Sequence, residues 1–134
     1  MTDDGVVLKS ICNAQRGSQR LKAAEQAKKI AEIASERQAY DILLLDVRKV
    51  CGFTDYFVIC NAETRRHTEA LWREISKGLE EEGAQMLHME GASDSGWVLL
   101  DYGDVIVHIF SPTEREYYQL DKLWEDATTV VRIQ

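Results

Sequence analysis

Two short unbroken apolar runs, Ile42-Leu43-Leu44-Leu45 and Tyr56-Phe57-Val58-Ile59-Cys60, do most to limit the folds open to this chain. Side chains alternate between the faces of a strand, so a continuous apolar run between polar flanks suits a strand covered on both faces. Such strands lie inside a sheet that has other segments packed on it. Both runs are far too short to span a bilayer. Between them, Asp46 to Asp55 carries Gly52 and Thr54-Asp55, residues with turn chemistry, and this loop is a candidate for function.

Helical spacing appears on either side of these runs. Leu21, Ala24, Ala27, Ile30, Ala31 and Ala34 recur along one face, with Lys22, Glu25, Lys28, Lys29 and Glu32 opposite, which predicts an amphipathic helix ending near Gln38. Thr64 as an N-cap and Gly83 as a stop enclose a second helix whose buried seam is His67, Leu71, Ile75 and Leu79. The acidic run Glu80-Glu81-Glu82 is its solvated end, unfavourably placed on the helix dipole. Residues 1–20 show no sustained period and are expected to form a mobile extension, leaving 21–134 as the domain. A chain of 134 residues that is 45% apolar, with a single proline, has the size and composition of one domain with one ordinary core.

Gln85 to Glu90 is a candidate third strand and 91–96 a loop by composition. Trp97 to Asp101 and Asp104 to Phe110 then form a hairpin around Tyr102-Gly103, where glycine tolerates positive φ. The expected fold class is α/β (α+β), a single mixed sheet of about five strands with helices packed on it.

Counting outward from that turn places Asp101 opposite Asp104, Leu99 opposite Ile106 and Trp97 opposite His108, all on one face. Two facing carboxylates repel by up to about 1 kcal/mol unless a donor or cation relieves them. Asp101, Asp104 and His108 therefore fit a metal or acid/base cluster. They fit better as acids that bond turn amides, with His108 packed beside Trp97, because no fourth ligand or nucleophile stands at telling spacing. His67 on an apolar seam suits a semi-buried histidine with satisfied hydrogen bonds. Arg65 and Arg66 in the first turn of that helix suit either an anion or an ion pair with a loop acid. There is no phosphate-cradling glycine loop, zinc-spaced cysteine pair or nucleophile elbow, so neither a catalytic residue nor a metal or cofactor is expected.

Lys and Arg total 16 against 23 Asp and Glu, a formal charge of -7, which disfavours phosphate backbones and favours a basic protein partner. Direct nucleic-acid binding is expected to be slight. Cys12, Cys51 and Cys60 are odd in number and unpaired in spacing, which suits free thiols in a reducing compartment. Met1-Thr2-Asp3-Asp4 opens with acid, unlike a secretory or organellar leader, so a cytoplasmic protein with no membrane association is expected. Near the C-terminus, Tyr117, Leu120 and Leu123 or Trp124 share one side of a helical turn, suited either to the sheet edge or to an exposed patch.

Three segments together resemble the ribosome-silencing factor family, also known as RsfS/Iojap. They are Asp46-Val47 with Thr54-Asp55-Tyr56-Phe57-Val58-Ile59, then Glu90-Gly91 with Trp97 to Phe110, and Arg115-Glu116-Tyr117-Tyr118-Gln119-Leu120-Asp121-Lys122-Leu123-Trp124. The likeness covers about residues 21–126. Arg66-His67 aligns with a pair the family carries, although Asn61-Ala62-Glu63-Thr64 replaces its usual Gly- and Ser/Thr-rich run. The resemblance implies a nucleotidyltransferase-like fold without that superfamily's catalytic set. It further implies binding to protein L-fourteen of the large ribosomal subunit, a steric block on joining of the small subunit, and repression of translation in starvation or stationary phase. On that basis Trp97, Asp101, Tyr102, Asp104, Tyr117, Tyr118 and Trp124 are the expected partner contacts, with Thr54, Asp55, Arg66, His67 and His108 as motif residues of open role. The rival expectations are a metal-dependent nucleotidyltransferase-like enzyme and a homodimeric scaffold.

Overall fold

The computed structural model describes residues 16–133, with side chains from Ala23 onward. Helix α1 (Arg16–Glu36) leads into strand β1 (Tyr40–Asp46), and the 47–55 loop returns the chain to β2 (Tyr56–Asn61). Helix α2 (Arg65–Glu81) follows, then β3 (His88–Ala92), β4 (Trp97–Asp101) and β5 (Val105–Phe110). Two short helices, α3 (Pro112–Tyr118) and α4 (Leu120–Leu123), precede the last strand, β6 (Thr128–Ile133). Helix α1 is already helical at Arg16, inside the stretch expected as an extension, and residues 1–15 of that stretch lie outside the described residues.

The strands form one six-stranded sheet in the order β3-β4-β5-β2-β1-β6, one strand more than expected. The addition is β6, which pairs antiparallel with β1. The two apolar runs became β1 and β2, both interior, and all six residues of β2 are buried. Only the central pair, β2 with β5, runs parallel.

Helices α1 and α2 cover one face of the sheet. Ala27, Ile30 and Ala34 of α1 and Leu71, Ile75 and Leu79 of α2 meet Ile42, Leu44, Val58, Val107 and Ile109 in the larger core. Helix α2 begins where the sequence placed it, with the Thr64 side chain accepting from the His67 amide, and Glu80 to Glu82 are exposed at its end. The opposite face carries Leu43, Leu45, Phe57, Ile59, Ile106 and Phe110, and residues of the 112–127 segment, including Leu120 and Trp124, pack over it. These two layers put helices on one side of the sheet and a C-terminal strap on the other.

The hairpin differs from its predicted register. Asp101 pairs with Ile106, Leu99 with His108 and Trp97 with Phe110. The Tyr102 amide donates to the Val105 carbonyl, which makes Gly103-Asp104 the two-residue turn. Gly103 has φ +87°, as the first central position of a II′ turn demands. Each partner has moved by two residues, so every strand side chain keeps its face, but Asp104 leaves the face altogether.

Strand β3 runs through Ala92, further than the sequence suggested, because Gly91 makes the extension possible. Its φ is +83°, and a Cβ there would lie inside van der Waals contact of the Trp97 carbonyl oxygen. Gly91→Ala is expected to lower stability by about 2 kcal/mol through strain at this edge pair. A urea midpoint equal to that of the parent would refute this account of the glycine.

Candidate interaction site

On the strap side of the sheet the rings form a continuous row. Phe57 stands edge-on to His108 and to Trp124, each at 5.1 Å between centroids, and Phe53 lies 6.4 Å away on the outer side. His108 stacks parallel with Phe110 at 6.0 Å. Trp97 stacks on Phe110 at 5.2 Å and meets Tyr118 at 4.6 Å, and Tyr117 stands edge-on to Tyr118 at 5.0 Å. The middle of the row is closed, but its ends are open: Phe53 is 66% exposed and Tyr117 77%, and Leu123, next to Trp124 in the chain, is 70% exposed. Large apolar side chains so exposed around a packed aromatic floor make this face a candidate interaction surface.

His108 is the polar group in that floor. The Trp97 Nε1–H donates to His108 Nδ1 at 3.2 Å, so the neutral ring carries its proton on Nε2, which is buried without a partner. Burial pushes its pKa down to about 4. The histidine is thus a packed neighbour of Trp97 and is held neutral.

The alternative of a cluster of Asp101, Asp104 and His108 is not assembled. Asp101 Oδ1 accepts from the Gly103 amide at 2.7 Å, closing the turn. Asp104 is in the turn itself, where its carbonyl accepts from the amides of Asp55 and Tyr56 at 3.0 and 3.1 Å. Among the described residues no group of three or more His, Cys, Asp and Glu side chains is placed to hold a metal. Asp55 is therefore brought to the hairpin tip through backbone bonds, and Thr54 beside it is buried. Tyr102 is also buried, 8% exposed, and belongs to the helix-side core, which removes it from the exposed partner contacts expected from the sequence.

His67 sits away from this face. Its Nδ1 accepts from the Glu63 amide at 3.1 Å and its Nε2 lies 2.8 Å from the Arg37 carbonyl, to which it donates, so the ring ties the two helices together. Arg66, in the first turn of α2, is exposed.

Sequence reasoning missed three contributors and left a fourth open. Phe53 was one residue in a turn-rich loop, and its isolation among polar neighbours was the available signal. Leu123 was left open between the sheet edge and an exposed patch, and it is exposed. Arg115 and Asp121 carried no assigned role. The Arg115 guanidinium donates from Nε and Nη2 to the two Asp121 carboxylate oxygens, at 2.9 Å each. Its Nη1 donates at 2.8 Å to both the Asp41 carbonyl and Asn61 Oδ1. Burial raises the Asp121 pKa, but the guanidinium outweighs it and holds the carboxyl below its usual value.

The three segments that carried the family resemblance meet on this face, as Phe57, then Trp97 to Phe110, then Tyr117 to Trp124. Residues 20–134 match the family model described as "Ribosomal silencing factor during starvation". The chain belongs to the ribosomal silencing factor family. A relative in Bacillus subtilis, ribosomal silencing factor RsfS, is 45% identical over 100 residues, which are 74% of this chain and 85% of that protein. A mouse protein named mitochondrial assembly of ribosomal large subunit protein 1 is 30% identical over 98 residues, 71% of this chain and 43% of its own length. A crystal structure of a Chromobacterium violaceum protein superposes with a TM-score of 0.73 at 29% identity, covering 81% of this chain and 92% of that one. The first two of these RsfS-family proteins carry names of ribosome-associated factors, not of enzymes.

Proposed function

We propose that this protein silences ribosomes by occupancy: it docks on the large subunit and sterically prevents the small subunit from joining, repressing translation in starvation or stationary phase. The observation that carries this reading is the family match over residues 20–134. The open-ended aromatic face supplies the means. The mouse relative's name, with its large ribosomal subunit, supports that subunit as the partner.

Within the subunit, the basic protein L-fourteen is the proposed contact. Glu116, Glu125 and Asp126 are exposed along the strap beside Tyr117 and Leu123, and the whole chain carries -7. Exposed apolar side chains on a strap where three exposed acids outnumber one exposed cation, Lys122, suit a basic protein surface and disfavour bare RNA. The proposed contacts are Tyr117, Tyr118, Phe53 and Leu123, with half-buried Trp97 and Trp124 behind them and Asp101 and Asp104 at the hairpin tip. Buried Tyr102 supports that tip from the helix side. Docking of this kind needs no turnover, cofactor or membrane, and no described helix is long and apolar enough to cross one. The cytoplasm is the proposed compartment.

Cosedimentation with isolated subunits tests the proposal. The protein is expected to travel with large subunits alone and to reduce joining as magnesium is raised. Binding to neither subunit would overturn it, and self-association through the same face, seen by sedimentation velocity, would then explain the exposed rings.

A further inference from the structure

The strap bends sharply between α3 and α4. Gln119 occupies the left-handed region at φ 48°, ψ 48°, and serves as both the C-cap of α3 and the N-cap of α4. Neither helix buries a residue completely, and α4 has only four residues, so local packing alone holds this bend weakly. Arg115 reaches across it. Its bidentate pair with Asp121 joins α3 to α4, and its Nη1 joins both to the sheet at Asp41 and Asn61.

The sheet is shaped to receive this side chain. Asp41 has φ +49°, an uncommon conformation for a residue other than glycine, at a register break between Tyr40 and Leu43. At this break its carbonyl accepts from Arg115. Asn61, 3% exposed at the end of β2, supplies the second acceptor. The Arg115 side chain is only 12% exposed, a low value for a cation, and its Nε, Nη1 and Nη2 all have acceptors.

We infer that Arg115 is the positioning residue of the docking face, fixing the distance between Tyr117 on α3 and Leu123 on α4 before any partner arrives. The inference rests on the docking reading and adds its means of preorganisation. A surface whose exposed anchors are already oriented loses less conformational freedom on binding. A lysine could not replace the arginine, because it lacks the planar fork that bonds Asp121 twice and still reaches the sheet.

A double-mutant cycle on affinity for isolated large subunits tests this, using Arg115→Gln and the anchor pair Tyr117→Ala with Leu123→Ala. In the parent, the anchor pair is expected to cost about 100-fold. Arg115→Gln alone is expected to cost about tenfold, and the anchor pair only about tenfold more once Arg115 is gone, so that the combined loss stays near 100-fold and below the additive value. Arg115→Lys should fail to restore affinity. Near-ultraviolet circular dichroism of Trp124 against Phe57 should change in Arg115→Gln while far-ultraviolet dichroism stays that of the folded sheet. Additive losses, or full affinity in Arg115→Gln, would overturn the positioning role. An anchor pair that costs nothing in the parent would instead overturn the assignment of docking to this face.

Discussion

Replacing Tyr117 and Leu123 together by alanine is expected to weaken binding to isolated large ribosomal subunits by about 100-fold, or about 2.7 kcal/mol. Stability should scarcely change, because both side chains are mostly in water in the free protein, at 77% and 70% exposure. That separation of effects makes the measurement decisive. Loss of affinity at unchanged thermal midpoint assigns the exposed strap residues Tyr117 and Leu123 to the partner. Retained affinity would move the contact elsewhere, with the exposed acids of α2 as the next surface to scan. Phe53→Ala, at the far end of the row, is expected to act in the same direction, since its ring is joined to the floor through Phe57.

Acid should unfold this protein partly through one histidine. The His108 pKa is pushed down from its ordinary value near 6.5 to about 4 by burial, so the native state excludes a proton that the unfolded chain accepts. His108 therefore contributes its full stability above pH 6.5, and that contribution is lost as the pH falls from 6.5 toward 4. Linkage puts the loss at about 3 kcal/mol over this window. His108→Phe keeps a ring between Phe57 and Phe110 but cannot titrate, and half-exposed Trp97 can turn its indole N–H to water. Urea unfolding at pH 7.5 and pH 4 should show a smaller acid loss in His108→Phe than in the parent. Equal losses in the two proteins would show that the histidine does not govern the acid limb.

What was legible in the sequence follows from how local each signal was. The α2 seam of Leu71, Ile75 and Leu79 is set by helical period alone, and all three are fully buried. The runs at 42–45 and 56–60 needed only their unbroken apolarity to be placed inside the sheet. The hairpin was found but its turn was placed one residue early, because Gly103 suits either central position of a tight turn. That single step dissolved the Asp101–Asp104 pair while leaving Trp97, Leu99, Ile106 and His108 on their common face. Strand β6 was passed over: Thr128-Thr129-Val130-Val131 has β-branched character, but as an edge strand it is largely exposed and lacks the apolar run that marked β1 and β2. The Arg115 network was illegible for a different reason. Its acceptors at Asp41 and Asn61 are remote in sequence, and one of them is a backbone carbonyl whose direction depends on a break in β1.

The parallel pairing at the centre of the sheet bears on how the molecule is born. Tyr56 must wait for Val105, and Ile42 for Ile133, before their strands can close. Contacts between such distant points of the chain form late and slowly, since the intervening loop must first be confined. The aromatic face draws Phe57, Trp97, Phe110 and Trp124 from the same distant segments, so it is among the last parts of the molecule to be completed.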